Sequence, residues 1–287
     1  MRVPLKQIIV AIAFSGLAVL LYFAPRGYPG VKNKAEGQAQ QQGDDHADFH
    51  AQVEEVKKEL GPEKTQKVDL FEKQLSSAAS PKDKVIALDS LINQWDKLMR
   101  PFIAAHYSFE KSDILNTFAA WFETGNRFFA LTSFVPPDKP DDKATVFQQA
   151  AQAYQNALKL NPNDVVVRTR LAVCQVESNP DPMTTGIKVL LDLVKEDSTN
   201  IEAQLNLGMF SLKSTQYSKA EKRFRTVIAL DPAYKDGYWY MAGAMEGQNK
   251  PTEAVKYYRE YIKRNKENPS ENEEIEKYID KLINKKN

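Results

Sequence analysis

The sequence is poor in the residues that most chemistry needs. Among 287 residues there is one cysteine, Cys174, and there are three histidines, His46, His50 and His106. One thiol excludes an intrachain disulfide, and three imidazoles leave little material for a metal enzyme. No glycine-rich phosphate loop, nucleophile elbow or paired-carboxylate motif occurs. An excess of either charge is also lacking, since 39 Lys and Arg face 38 Asp and Glu. Without a basic stripe, nucleic acid is not an expected partner. What remains, 42% hydrophobic and 27% charged residues, suits a helical protein that binds rather than reacts. We expect no catalytic residues, no metal and no cofactor.

Two small features have bland readings. His46 and His50 are four apart beside Asp45, Asp48 and Glu54, and on a helix could share a face toward a divalent metal. Ala47, however, stands where the zinc signature has Glu, so a solvated helix start is the better reading. Cys174 lies in the apolar run Leu171-Ala172-Val173-Cys174 with only Arg170 one turn away. It reads as a small buried hydrophobe.

One long apolar run is present, from Ile8 to Ala24. At about 1.5 Å per residue it is just long enough for a membrane span, with Tyr22 and Arg26 at the expected interface. Leu21-Tyr22-Phe23-Ala24-Pro25 offers no small-x-small cleavage site, so residues 1–26 read as an uncleaved signal anchor. Arg2 and Lys6 before the run nearly balance Arg26, Lys32 and Lys34 after it. The short leading tail then favours export of the C-terminal domain. The expectation is a single-pass inner-membrane protein of a bacterial cell envelope, with its C-terminal domain periplasmic. Residues 27–45, including GQAQQQGDD, form a flexible polar linker.

Residues 46–112 read as an N-terminal helical region. Gly61-Pro62 closes one helix. Ser80 is placed to cap the next, with Pro81 at its first position. Along it Val85, Leu88, Leu91, Ile92, Trp95 and Leu98 recur at steps of three and four. Pro101 ends or kinks it. A further helix, rich in Phe and Trp, runs from Asp113 to Leu131.

From residue 113 to 269 the chain repeats. The clearest unit is Ile201 to Pro232, with Leu207-Gly208, Ala220, Phe224 and Pro232 at the spacing of a helix-turn-helix repeat of about 34 residues. Small second-helix residues Ala150, Gly186, Ala220 and Ala254 stand 36, 34 and 34 apart. Closing residues Pro162, Ser198, Pro232 and Lys266 keep the same intervals, giving about four repeats. The turn SNPDP accounts for the longer interval, and VPPDKPDDK is a loop inserted in the first repeat. Gly125, Ala172, Gly208 and Ala242 sit where the two helices of a repeat cross, while Tyr154, Leu190, Phe224 and Tyr258 fill the space between them. Residues 270–287 form a capping helix with Ile275, Tyr278, Ile279, Leu282 and Ile283 on one face.

These residues resemble the tetratricopeptide repeat family from about Trp121 to Lys266. The resemblance implies an all-α fold, a right-handed solenoid of antiparallel helix pairs whose first helices line a concave groove. It also implies a non-catalytic scaffold or adaptor that binds a protein or peptide; a permanent assembly subunit of an envelope complex is the alternative. Groove candidates are Phe122, Asn126, Phe129, Val166, Thr169, Arg170 and Val173, then Leu205, Asn206, Met209 and Leu212, then Trp239, Tyr240 and Gly243. Asn206 and Arg170 could belong to a set that grips a terminal carboxylate. Thr169, Val173, Leu205 and Trp239 occupy the positions that should complete it, so that ligand is not expected.

Overall fold

The computed structural model describes residues 41–179 and 185–284. Among them are thirteen helices and no strand. The placement in the inner membrane is corrected here, because no helix among the described residues is long and apolar enough to cross a membrane. The run 8–24, on which that expectation rested, lies outside the described residues, as does most of the stretch read as linker. The first described helix begins at Gln41, inside that stretch.

The chain divides between Pro180 and Asp181 into two compact units. The first holds α1 (Gln41–Leu60), α2 (Pro62–Ser77), α3 (Pro81–Lys97), α4 (Pro101–Leu115), α5 (Phe118–Leu131), α6 (Pro140–Leu160) and α7 (Val165–Ser178). Each packs against the next in sequence. Four of them start on proline, whose missing N–H is no loss in a first turn. Ser80 caps α3 as its sequence implies: its Oγ accepts from Asp83 N at 3.1 Å and donates to Asp83 Oδ2 at 2.6 Å. Thr117 and Asp164 cap α5 and α7 in the same way. Of VPPDKPDDK, read as a loop, the part up to Lys139, with Asp138, is loop, and the rest is helix from Pro140. Asp141 and Asp142 form the first turn of α6, where the helix dipole favours carboxylates.

Two cores run through this unit. One joins α1 to α4 around Leu88, Leu91, Trp95 and Tyr107. The other joins α4 to α7 around Trp121, Phe128 and Tyr154. The N-terminal helices are thus continuous in packing with the first repeat. Lys57 ties α1 to α2 by pairing with Asp69 at 2.6 Å and Glu72 at 2.8 Å. Burial works against its charge, but hydrogen bonds to Asp69, Glu54 and Glu72 hold its pKa above the ordinary lysine value.

The second unit holds α8 (Thr185–Glu196), α9 (Ile201–Lys213), α10 (Tyr217–Leu230), α11 (Lys235–Gly247), α12 (Pro251–Arg264) and α13 (Pro269–Asn284). The division falls within the second expected repeat, whose Leu171 and Ala172 lie on α7 and whose Gly186 and Leu190 lie on α8. The third and fourth repeats are the hairpins α9–α10 and α11–α12. The turns that lead into α9 and α11 share a device. Asp197 Oδ1 accepts from Thr199 N at 2.8 Å, and Asp231 Oδ1 accepts from Ala233 N at 3.0 Å, an Asx turn that sets up the next helix. The core gathers Phe224, Met241, Tyr258, Ile275 and Ile279. The last two, expected on the inner face of the capping helix, are fully buried.

Candidate partner-binding face

In the first unit the predicted residues come together but are largely spent on one another. Phe122 and Asn126 lie on α5, Arg170 and Val173 on α7. Asn126 Oδ1 accepts from the Tyr154 hydroxyl at 2.8 Å and from Arg170 Nη1. The Arg170 guanidinium also stands 5.6 Å from the centre of the Phe122 ring, a cation–π arrangement. Asn126 and Arg170 therefore join α5 to α7 through α6. Val173 is corrected: with 4% of its surface exposed its side chain belongs to packing, not to a groove. Thr169 is buried too, and its hydroxyl donates back to Val165 O at 2.8 Å. Val166 remains exposed.

In the second unit the face survives. Leu205, Asn206, Met209 and Leu212 on α9 and Trp239 and Tyr240 on α11 are all half-buried. The apolar five pack their inner sides on the core and keep outer surface. Leu205, Met209 and Leu212 stand at i, i+4 and i+7, one stripe of α9. Asn206 donates from Nδ2 to Glu202 O at 2.8 Å, so its amide is partly engaged by its own helix.

The two aromatic residues lean opposite ways. Trp239 rests on α12, its ring 4.9 Å from Tyr258 and 5.4 Å from Tyr261. Tyr240 stacks on Phe224 of α10 at 5.5 Å with 21° between planes. Burial, with Asp236 and Tyr234 adding to it, pushes the Tyr240 phenol up to about 12. The pair thus forms part of the wedge between the third and fourth repeats and also part of the open face.

Two residues of this face have no packing role to explain them. Gly243 is buried, yet no side chain lies within 4 Å of a Cβ built on it. It differs from Gly125 and Gly208, where that atom would meet Tyr154 and Phe224 at 2.5 Å. Asp236, which no motif in the sequence marks, is half-buried and makes no side-chain hydrogen bond or ion pair among the described residues. Burial raises its pKa, against the pull of Lys235, with Glu271 and Glu267 adding to the rise. The available signal is its register: Asp236, Trp239, Tyr240 and Gly243 fall at i, i+3, i+4 and i+7.

The remaining candidates are placed simply. Cys174 is fully buried, and burial pushes its thiol pKa up, away from reactivity. His50 on α1 is exposed; the side chain of His46 lies outside the described residues.

Residues 205–270 match the tetratricopeptide repeat family model. The match runs from within α9 through α10, α11 and α12 to the start of α13. No curated protein sequence matches the chain. Among solved structures, MamA from residue 41 to its end, from Desulfovibrio magneticus RS-1, is 16% identical with a TM-score of 0.46, over 63% of this chain and 95% of that one. PilW, described as a widely conserved type IV pilus biogenesis factor, is 16% identical with a TM-score of 0.48, over 63% and 77%. YrrB, described as a TPR protein with an unusual peptide-binding site, is 15% identical with a TM-score of 0.40, over 68% and 92%. At such scores these likenesses carry no functional argument.

Proposed function

We propose that the chain is a non-catalytic binding scaffold of tetratricopeptide type that holds a protein or peptide partner on the first-helix face of its second unit. The observation that carries this reading is the makeup of that face. Leu205, Met209, Leu212, Trp239 and Tyr240 keep apolar surface in water after packing on the core, and contiguous exposed apolar surface marks interaction sites. Their backbones are fixed by the close contact of Gly208 with Phe224 and by the stacking of Tyr240 on Phe224. A partner therefore meets a surface ordered in advance, which lowers the entropy lost on binding. A double substitution, Met209→Gln with Leu212→Gln, changes the face but not the buried core. It should cut partner capture at least tenfold with helicity unchanged. Undiminished capture by a folded double variant would remove the second-unit face from the account.

A further inference from the structure

Among the glycines of α9 and α11, Gly243 alone has a missing side chain that no neighbouring group requires. Gly208 is needed by Phe224, Gly247 by Tyr217, and a Cβ on Gly237 would lie 3.2 Å from Ile228 Cγ1. Glycine inside a helix costs stability relative to alanine, so an unforced one leaves an uncompensated loss. What it creates is a notch on α11, bounded on its own helix by Trp239 and Tyr240 one turn earlier. Met209, one 34-residue period before Gly243, presents its half-buried side chain from α9.

Apart from Lys235, the charged side chains of α11 are acidic, Asp236 and Glu246. Asp236, on the same face two turns before Gly243, has no cation within ion-pair distance and no hydrogen-bond donor among the described residues. Glu246, one turn after it, accepts from the hydroxyls of Tyr258 and Tyr278, which are neutral, and makes no ion pair among the described residues. The single cation of α11, Lys235, is taken up by Asn265 at 2.7 Å and by Glu267. Asp236 stands in the first turn of α11, where the helix dipole offsets part of the cost of its burial, and a cation that arrives with a ligand complements the rest.

Building on the scaffold reading, we infer that Gly243 and Asp236 form a two-point site for a basic peptide segment, an apolar side chain entering the notch and a Lys or Arg meeting Asp236. Seven residues of helix separate the two points by roughly 10 Å at about 1.5 Å per residue. An extended strand covers that distance in about three residues. The bound segment therefore carries its large apolar residue and its basic residue about three positions apart.

The test uses the full chain and a displayed random dodecapeptide library as probe. Enriched peptides are synthesised and titrated against the wild type, Gly243→Ala, Gly243→Leu, Asp236→Asn and the Met209→Gln, Leu212→Gln double variant. The expected peptides pair Lys or Arg with a large apolar residue about three positions away. Gly243→Leu should weaken them at least tenfold. Gly243→Ala should weaken them while leaving Tm unchanged or higher, which separates a filled notch from damaged folding. Asp236→Asn should weaken them several-fold and flatten the dependence on salt. Acidic enriched peptides, or affinity untouched by Gly243→Leu, would overturn the two-point site. If such peptides are still lost in the double variant, the scaffold reading stands without it. A library that yields no binder contradicts both.

Discussion

The ring of Phe224 occupies the space that a side chain at Gly208 would need: a Cβ there would lie 2.5 Å from Phe224 Cε1. Tyr154 stands in the same relation to Gly125, in the other unit and in another repeat. In each hairpin a second-helix ring lies flush on a first-helix glycine, and the close crossing brings the two backbones together.

This relation gives opposite outcomes for one substitution at two helix glycines. Gly→Ala in an unstrained helix interior stabilises by about 0.5–1 kcal/mol. Gly243→Ala should show that gain, because nothing opposes the new methyl. Gly208→Ala should instead cost about 1–3 kcal/mol, the ordinary cost of overpacking a tight core. Urea unfolding followed by circular dichroism measures both. Equal effects at the two positions would contradict the packing argument.

Asn265 joins the last repeat to α13. It is fully buried and yet satisfied on all sides. Its Oδ1 accepts from Lys235 Nζ at 2.7 Å, its Nδ2 donates to Glu271 Oε2 at 2.8 Å and to Asn272 Oδ1 at 3.1 Å, and its backbone O accepts from Asn272 Nδ2 at 2.8 Å. Asn265→Leu fills the same volume but strands these partners, and should cost about 2–4 kcal/mol. Hydrogen exchange should quicken across α13 while amides of α9 stay protected.

Glu221 links α10 to the turn before α12. Gln248 Nε2 donates to it at 2.8 Å and Arg225 Nη2 at 2.7 Å, with Lys250 at 4.0 Å. The hydrogen bond from Gln248, then that from Arg225, holds its pKa below the ordinary glutamate value. A carboxyl depressed on folding adds stability above its unfolded pKa of about 4.3, and that stability is lost as pH falls through the folded value. Glu221→Gln should therefore lower stability at pH 7, by less than about 1 kcal/mol because solvent screens the pair. The difference from wild type should vanish once the pH drops well below about 4.

The repeat register is readable because it rests on local, periodic requirements. Small residues at Gly125 and Gly208, rings at Tyr154 and Phe224, and the apolar face of Ile275 and Ile279 recur at intervals that sequence displays directly. The candidate face is readable only in part. Whether Val173 is open or covered depends on which helix lies across it, and periodicity along α7 does not contain that. The Asn126–Arg170 contact joins residues 44 apart in the chain, so each looks available when read alone. The start of α6 at Pro140 escapes a sequence reading because Pro and Asp in VPPDKPDDK signal a loop and a helix start alike. Gly243 falls on the face by register, but its meaning depends on what does not surround it.

The central claim is that a partner lies against the first helices of the second unit. Site-specific photocrosslinking in living cells tests it most directly, with a photoreactive residue at Met209 or Leu212 on α9 and, as control, at the exposed Lys222 on α10. One discrete crosslinked species is predicted from Met209 and Leu212, and none from Lys222. Equal crosslinking from all three positions, or a species from Lys222 alone, would contradict the claim.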